Sequence, residues 1–332
     1  MATSDDVHGF ATGEEQFNRR LYFEHALNSS APELWRYGMH LVGEVEGRLE
    51  ECARAMDAGS DWRGLVDRLR KDSPVPGDPI EACRAAMERA RYFVGQRDLA
   101  TIPAAGLEVV PTPEFLWPLI PFAAYSPPGA FSADRTGRFY VTPRSPEMRQ
   151  IQNRSTLELA GMALHEGYPG HHLQMITAQS LPSAVRRVLW TPLMVEGWAL
   201  YCEDMMGEEG FYDDPAARLL QQVHLLWRAV RVILDIGLHT RNMSPDAAVV
   251  YLLSKVPVDR AEAIAEVRRY CGSPTYPLCY AVGRREILAL REDYRIRAGS
   301  NFVLRAFHDE LLSYGGLPIS LARWGMGLES EK

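Results

Sequence analysis

Three of the nine histidines fall within eight residues, in the segment Leu164-His165-Glu166-Gly167-Tyr168-Pro169-Gly170-His171-His172. Imidazoles and carboxylates together are the usual protein ligands of a divalent transition metal, and a glutamate beside them is the usual general base of metal-assisted hydrolysis. The familiar zinc-protease spacing, His-Glu-x-x-His, puts two imidazoles one helical turn apart. Here the residue four after His165 is Pro169. On a straight helix His171 would be turned about 240° from His165 and raised about 9 Å, and His172 would share its face about 10.5 Å along the axis. Neither could share an ion with His165. A proline ring, however, clashes with the carbonyl four residues earlier, which belongs to His165, and glycines at 167 and 170 tolerate unusual backbone angles. The segment therefore predicts a helix broken between Glu166 and Gly170, with a turn that can bring His171 back towards His165. His172 stays open as the alternative second imidazole.

A zinc site needs a third protein ligand and an open position. The segment Val195-Glu196-Gly197-Trp198-Ala199-Leu200-Tyr201-Cys202-Glu203 is apolar except for two carboxylates, seven residues apart and so on one helix face. Buried carboxylates must be paired or bound to metal. Glu196 reads as the ligand and Glu203 as a partner standing behind the ligands.

A polar stripe follows. His224, Arg228, Arg231, Asp235 and His239 are spaced 4, 3, 4 and 4 and share a helical face among apolar neighbours. A solvated face is the simpler expectation for His224 and Arg228. For Arg231, Asp235 and His239 the surroundings favour a buried network facing a cavity, with Arg231 and Asp235 fixing the His239 tautomer. Farther on, Arg269, Tyr280 and Arg284 could bind substrate or donate to an oxyanion.

The elements that must position these groups read as helices. Leu34, Tyr37, Leu41, Val45 and Leu49 mark one from Pro32 to about Asp57, and Ile80, Cys83, Met87 and Ala90 another from Pro79 to about Val94. Between 105 and 142 prolines and glycines cluster around two short apolar runs, 107–110 and 138–141, which read as two or three strands. From about Ser155 onward helices follow one another with breaks at prolines. Length alone, at about 150 residues per domain, suggests two domains. The pattern instead gives one mostly helical domain over 1–332: N-terminal helices in 1–104, a small β insertion in 105–150 and a helical catalytic core in 151–332.

Composition limits partners. The 332 residues carry a net charge of −7, against the basic surface that nucleic acid or an anionic membrane requires. No apolar run approaches the roughly 20 residues of a membrane span. The N-terminus lacks the pattern of a secretion signal, and five cysteines without a CxxC pair predict reduced thiols, so a cytoplasmic location is expected.

These motifs resemble a bacterial family known as domain of unknown function 885. The resemblance rests on His165 to Gln174, Glu196-Gly197-Trp198-Ala199-Leu200-Tyr201, and Arg231 through Asp235-Ile236-Gly237-Leu238-His239, with weaker echoes at Phe139-Tyr140-Val141 and Arg269-Tyr270. It covers roughly residues 155–290 most strongly. That family looks similar to helical zinc metallopeptidases of the thimet oligopeptidase and carboxypeptidase Taq type, whose active-site helix carries His-Glu-x-Gly-His. Aligning Gly170-His171 with that Gly-His leaves a two-residue insertion and supports His171 as ligand. The sequence departs from the family at Thr142, where asparagine is common, and at Pro274-Thr275-Tyr276-Pro277, where Pro-Gly-Gln-Ala is common. Members are typically longer and often exported, so the resemblance implies a shrunken substrate channel here.

The resulting expectation is a mainly α, multi-helix, zincin-type domain binding Zn2+ through His165, His171 and Glu196. Glu166 would be general base, with His239 or Tyr280 stabilising the oxyanion. His172, Glu203, Arg231, Asp235, Arg269 and Arg284 would bind substrate or support the ligands. The reaction would be hydrolysis of an amide in a small or peptide-like substrate. The rivals are a non-hydrolytic isomerase, lyase or cyclase on the same scaffold, and a binding protein without catalysis.

Overall fold

The computed structural model describes residues 9–57, 61–75, 77–117, 119–120, 123–142 and 155–328. The last residues of the expected β insertion, 143–150, lie outside them. Four helices come first: α1 (Gly13–His25), α2 (Ala31–Met56), α3 (Trp62–Asp72) and α4 (Pro79–Gln96). Three short strands follow, β1 (Leu107–Pro111), β2 (Ala123–Ser126) and β3 (Gly137–Val141). Ten helices complete the described chain: α5 (Thr156–Glu166), α6 (His171–Gln179), α7 (Ala184–Val188), α8 (Pro192–Glu208), α9 (Pro215–Thr240), α10 (Pro245–Lys255), α11 (Arg260–Cys271), α12 (Cys279–Ala298), α13 (Leu304–Leu312) and α14 (Ile319–Gly325).

Prolines that read as breaks in the sequence prove to be helix starts. Pro192, Pro215 and Pro245 each open a helix behind an oxygen-bearing cap, Thr191, Asp214 and Ser244, as Pro79 does behind Asp78 at the helix start the sequence predicts. Proline costs nothing there, because the first amides of a helix have no intrahelical acceptor. Helix α5 begins with a full capping box, in which Ser155 Oγ accepts from Glu158 N while Glu158 Oε2 accepts from Ser155 N.

Helix α9 forms the centre. From Val223 to His239 nearly every residue is buried, and α1, α2, α5, α10, α11 and α12 all pack on it. A helix apolar all round belongs inside a protein. Helix α2 comes close at Gly38, where a Cβ would stand 3.1 Å from Val232 and Ile233 side-chain carbons. Helices α8 and α12 touch backbone to backbone. A Cβ on Gly197 would lie 2.5 Å from the Gly283 carbonyl carbon, and one on Gly283 would lie 2.0 Å from Leu193 O, so both positions require glycine.

The sheet has the order β1-β3-β2, with β1 parallel and β2 antiparallel to β3. Its inner face, Val109, Phe139 and Val141, packs with Cys83 and Met87 of α4 and Leu159 and Ala163 of α5 as a satellite core. That packing sets edge strand β2 beside the end of α5. Among the described residues no helix is long and apolar enough to cross a membrane.

Candidate metal centre

The break between α5 and α6 is where the proline and glycines of the sequence put it. Helix α5 stops at Glu166, the Tyr168–Pro169 peptide is cis, and α6 begins at His171. Gly167 N and Tyr168 N both donate to Ala163 O, and Gly170 N donates to Leu164 O, so the chain folds back against the last turn of α5. Only glycine fits at 170, since a Cβ there would lie 1.9 Å from His165 O and 2.3 Å from Leu164 O. Trp198 of α8, fully buried, donates its indole N–H to Pro169 O at 2.9 Å and fixes the turn from the other side.

The turn brings the two imidazoles edge to face, with ring centres 4.7 Å apart. His165, Glu166 and His171 each offer a ligand atom within 4.8 Å of the others. Glu196 meets the same two histidines from α8, its Oε2 standing 3.5 Å from His165 Nε2 and 3.4 Å from His171 Nε2. Both sets share His165 and His171. His172 turns away, with Nδ1 3.1 Å from Tyr125 OH, and is therefore not the second imidazole facing Glu196. Gly137 makes room for that contact, because a Cβ there would lie 2.7 Å from both His172 Nδ1 and Tyr125 OH.

Each member is held from behind. Glu203 Oε1 is 2.8 Å from His165 Nδ1, a contact in which Nδ1–H donates and Nε2 is left as the ring atom turned to Glu196. Tyr276 donates to Glu196 Oε1 at 2.5 Å. The backbone N–H of Tyr125, on edge strand β2, donates to Glu166 Oε2 at 3.2 Å. Burial opposes charge on His165, but the facing carboxylates of Glu196 and Glu203 outweigh it and raise its pKa to about 9. Burial likewise penalises the Glu196 carboxylate, yet His165 and His171 hold it well below the usual range. Glu196 Oε2 nonetheless accepts no hydrogen bond among the described residues, although it is buried. An acceptor left in this way, facing two imidazole Nε2 atoms, fits a divalent cation.

A cavity of about 210 Å³ opens beside this cluster. Its lining includes His165, Glu166 and Glu203, Tyr280 and Arg231, and His224 and Arg228. Tyr280 stacks on His165 at 6.1 Å, and the Arg231 guanidinium lies 4.8 Å from the Tyr280 ring centre. A larger hollow of about 510 Å³ between α4 and β1 reaches Tyr168 but contains none of the clustered ligands.

The polar stripe of α9 is divided differently from the sequence expectation. His224 is buried and Arg228 largely so, and both line the cavity instead of a solvated face. The reason is α5, whose Glu158 stands 3.6 Å from His224 Nε2. Asp235 and His239 do not reach the cavity. Asp235 accepts from Thr275 N and Leu278 N, and so clamps the α11–α12 connection, in which Thr275 holds a left-handed φ of 69°. Burial pushes its carboxyl up to about 8. His239 bonds Tyr270 O at 3.0 Å and packs on Phe10 and Phe17 of the N-terminal segment, too far inside to meet an oxyanion. Arg231 pairs with Glu266 and Tyr270 OH, not with Asp235. Arg269 also grips Glu266 and remains 40% exposed, whereas Arg284 is buried in an ion pair with Asp204 that ties α12 to α8.

Comparison with known proteins is consistent with the motifs. The family described as bacterial protein of unknown function (DUF885) matches residues 2–326. The chain belongs to that family. No curated protein matches this DUF885 sequence. Solved structures with this fold include two described as lipoproteins. A "putative lipoprotein of unknown function" from Shewanella oneidensis is 28% identical, with a TM-score of 0.86 over 96% of this chain and 60% of its own. A "putative lipoprotein" from Colwellia psychrerythraea shows the same fold at 22% identity and TM-score 0.86, over 96% and 57% of the two chains. This DUF885 chain thus spans about three fifths of the length of those solved relatives. Sequence reasoning about it left Tyr276, Tyr125 and Glu266 without roles. Tyr276 had a signal, standing four residues before Tyr280, but a lone phenol does not announce the carboxylate it will meet.

Proposed function

We propose that this protein is a metal-dependent hydrolase, with zinc the ion best suited to its ligands, cleaving an amide bond in a small or peptide-like substrate. One observation carries the reading: the buried Glu196 Oε2 has no hydrogen-bond partner among the described residues and faces Nε2 of both His165 and His171 at 3.5 and 3.4 Å. Two imidazoles and a carboxylate make a His2Glu donor set with a fourth position to spare. An ion held there would polarise the scissile carbonyl and acidify the attacking water. The likeness of the motifs to helical zinc metallopeptidases supports the same reading.

The chain's own groups divide the remaining work. Glu203 keeps His165 in one tautomer, and Tyr276 occupies Glu196 Oε1 so that Oε2 alone faces the imidazoles. Glu166, held at Oε2 by the Tyr125 amide and lining the cavity, takes a proton from the attacking water and delivers it to the leaving amine. Tyr280 and Arg231 are placed to donate to the oxygen that gains charge. The cavity of about 210 Å³ lies below the roughly 300 Å³ at which drug-sized pockets begin, which favours a small substrate. On location the support divides. The solved relatives are described as lipoproteins, while five unpaired cysteines suit the reducing cytoplasm, which is the placement proposed here.

Zinc titration paired with turnover of N-acyl amino acids and dipeptides tests the proposal. Wild type and Glu166→Gln should both take up one zinc, His165→Ala should lose it, and Glu166→Gln should lose turnover. A protein that takes up no metal, or a Glu166→Gln variant with undiminished turnover, refutes it.

A further inference from the structure

Part of the cavity lining consists of donors left open among the described residues. The Arg228 guanidinium lines the cavity, 16% exposed. Its Nη1 reaches His224 O at 3.3 Å, its Nη2 stands 3.9 Å from Glu203 Oε1, and its Nε is buried with no hydrogen-bond partner among the described residues. A guanidinium has five N–H donors in a planar fork, so most of its capacity remains open. Tyr212 OH is also buried and without a partner. It lies 3.7 Å from where a Cβ on Gly161 would stand, and His224 Nδ1 lies 3.8 Å from the same point. Gly161 lines the cavity together with His224 and Arg228, so its missing side chain keeps open the space next to the Tyr212 phenol and the His224 imidazole.

The acidic residues of the lining do not satisfy these donors. Glu203 bonds His165, Glu266 holds Arg231 and Arg269, Glu166 is held by the Tyr125 amide, and Glu262 sits on the first turn of α11. The second lining arginine, Arg231, spends Nε on Tyr270 OH and Nη2 on Glu266, which leaves Nη1 for the oxyanion role proposed above. Arg228, whose buried Nε has no partner among the described residues, is the lining cation left for a further group. Planar, charge-assisted, two-pronged recognition is what a carboxylate offers an arginine.

We infer that the Arg228 part of the cavity lining is a carboxylate subsite, so that substrates of the hydrolase proposed above are amides carrying a free carboxylate close to the scissile bond. The inference rests on that reading for the reaction, but binding at Arg228 needs no metal. Arg228 is one carboxylate removed from the metal cluster, since Glu203 stands between it and His165. Arg228, His165 and Glu166 line the same cavity of about 210 Å³, and that size limits how far the substrate's charged group can stand from the carbonyl under attack.

The test uses metal-free protein and two probes that differ in charge alone, N-acetylglycine and N-acetylglycinamide, followed by NMR titration. Removing the metal prevents the carboxylate from binding an ion instead. Wild type should bind N-acetylglycine and discriminate against the amide by on the order of tenfold or more. Arg228→Gln should abolish the discrimination, and Arg228→Lys should keep part of it. Gly161→Ala gives an independent arm. Its new methyl makes ordinary contacts at 3.7 and 3.8 Å, so the helix keeps or gains stability while the space is filled and N-acetylglycine binding weakens. Equal affinity for both probes, no binding of either, or full discrimination in Arg228→Gln overturns the inference. Discrimination by metal-free protein together with no turnover after zinc loading would instead overturn the hydrolase reading and leave the subsite standing.

Discussion

Replacing Gly170 with alanine should disassemble the proposed metal centre while leaving the helices formed. A Cβ at this position would stand 1.9 Å from His165 O and 2.3 Å from Leu164 O, both backbone atoms that cannot rotate away. Contacts under about 3 Å are not tolerated, so the turn must retreat by roughly 1 Å or more. Metal–ligand distances tolerate about 0.2 Å. The retreat acts directly between the ligands, because His165 owns the clashing carbonyl and His171 is the next residue along the chain. It also breaks the bond from Gly170 N to Leu164 O. Zinc affinity should therefore fall by at least about 100-fold, or about 2.7 kcal/mol. Competition against a chelator measures that directly, with far-ultraviolet circular dichroism to show that helix content persists. Gly161→Ala, in α5 with room for its methyl, is the control and should keep zinc affinity. A folded Gly170→Ala protein binding zinc as tightly as wild type would refute the claim that the glycine turn sets the spacing of the imidazoles.

Further expectations follow from the groups behind the ligands. Glu203→Ala strips the partner from His165 Nδ1 and should weaken zinc binding by about 10- to 100-fold, while Glu203→Gln, which can still accept that proton, should lose less; equal losses would show that charge alone matters. Arg284→Met leaves Asp204 buried without its cation and should cost about 3–5 kcal/mol in urea unfolding, a loss that Asp204→Leu in the same chain should largely restore. Acid should destabilise the fold through His25 and His308, whose pKa values burial lowers to about 4. Their unfolded values near 6.5 are higher, so the unfolded chain binds protons first. The stability these histidines contribute is complete above pH 6.5 and is lost as pH falls towards 4, about 2 kcal/mol each by pH 5. A urea midpoint that does not move between pH 7 and pH 5 would contradict this.

Much of the site was legible because its signals were local. Pro169 between two glycines announces a broken helix without any knowledge of the rest of the chain, and the seven-residue spacing of Glu196 and Glu203 puts both on one face of α8. What could not be read depends on which distant element covers a given face. The spacing of the α9 stripe says that His224 and His239 align, yet α5 covers the first and leaves it beside a cavity, while Phe10 and Phe17 enclose the second. Those neighbours lie more than 200 residues away from His239 in sequence, and no periodicity encodes them. Asp235 is similar, since its partners are two backbone amides of the α11–α12 connection. Strand β2 escaped as a particular segment because Ala123-Ala124-Tyr125-Ser126 carries little β-branched or alternating signal. Its role comes from a backbone N–H, a group every residue but proline possesses.

Glycine against glycine at 197 and 283 makes one rigid plate of α8 and α12. That plate carries Glu196, Glu203 and Tyr280 together, and the Trp198 indole bolts the imidazole turn onto it. Three of the groups around the candidate site thus ride on one pair of helices whose backbones are in contact. Edge strand β2 meets the same site from the other side through two groups of one residue, the Tyr125 amide on Glu166 Oε2 and the Tyr125 hydroxyl beside His172 Nδ1, so a single tyrosine couples the strand to both ends of the glycine turn.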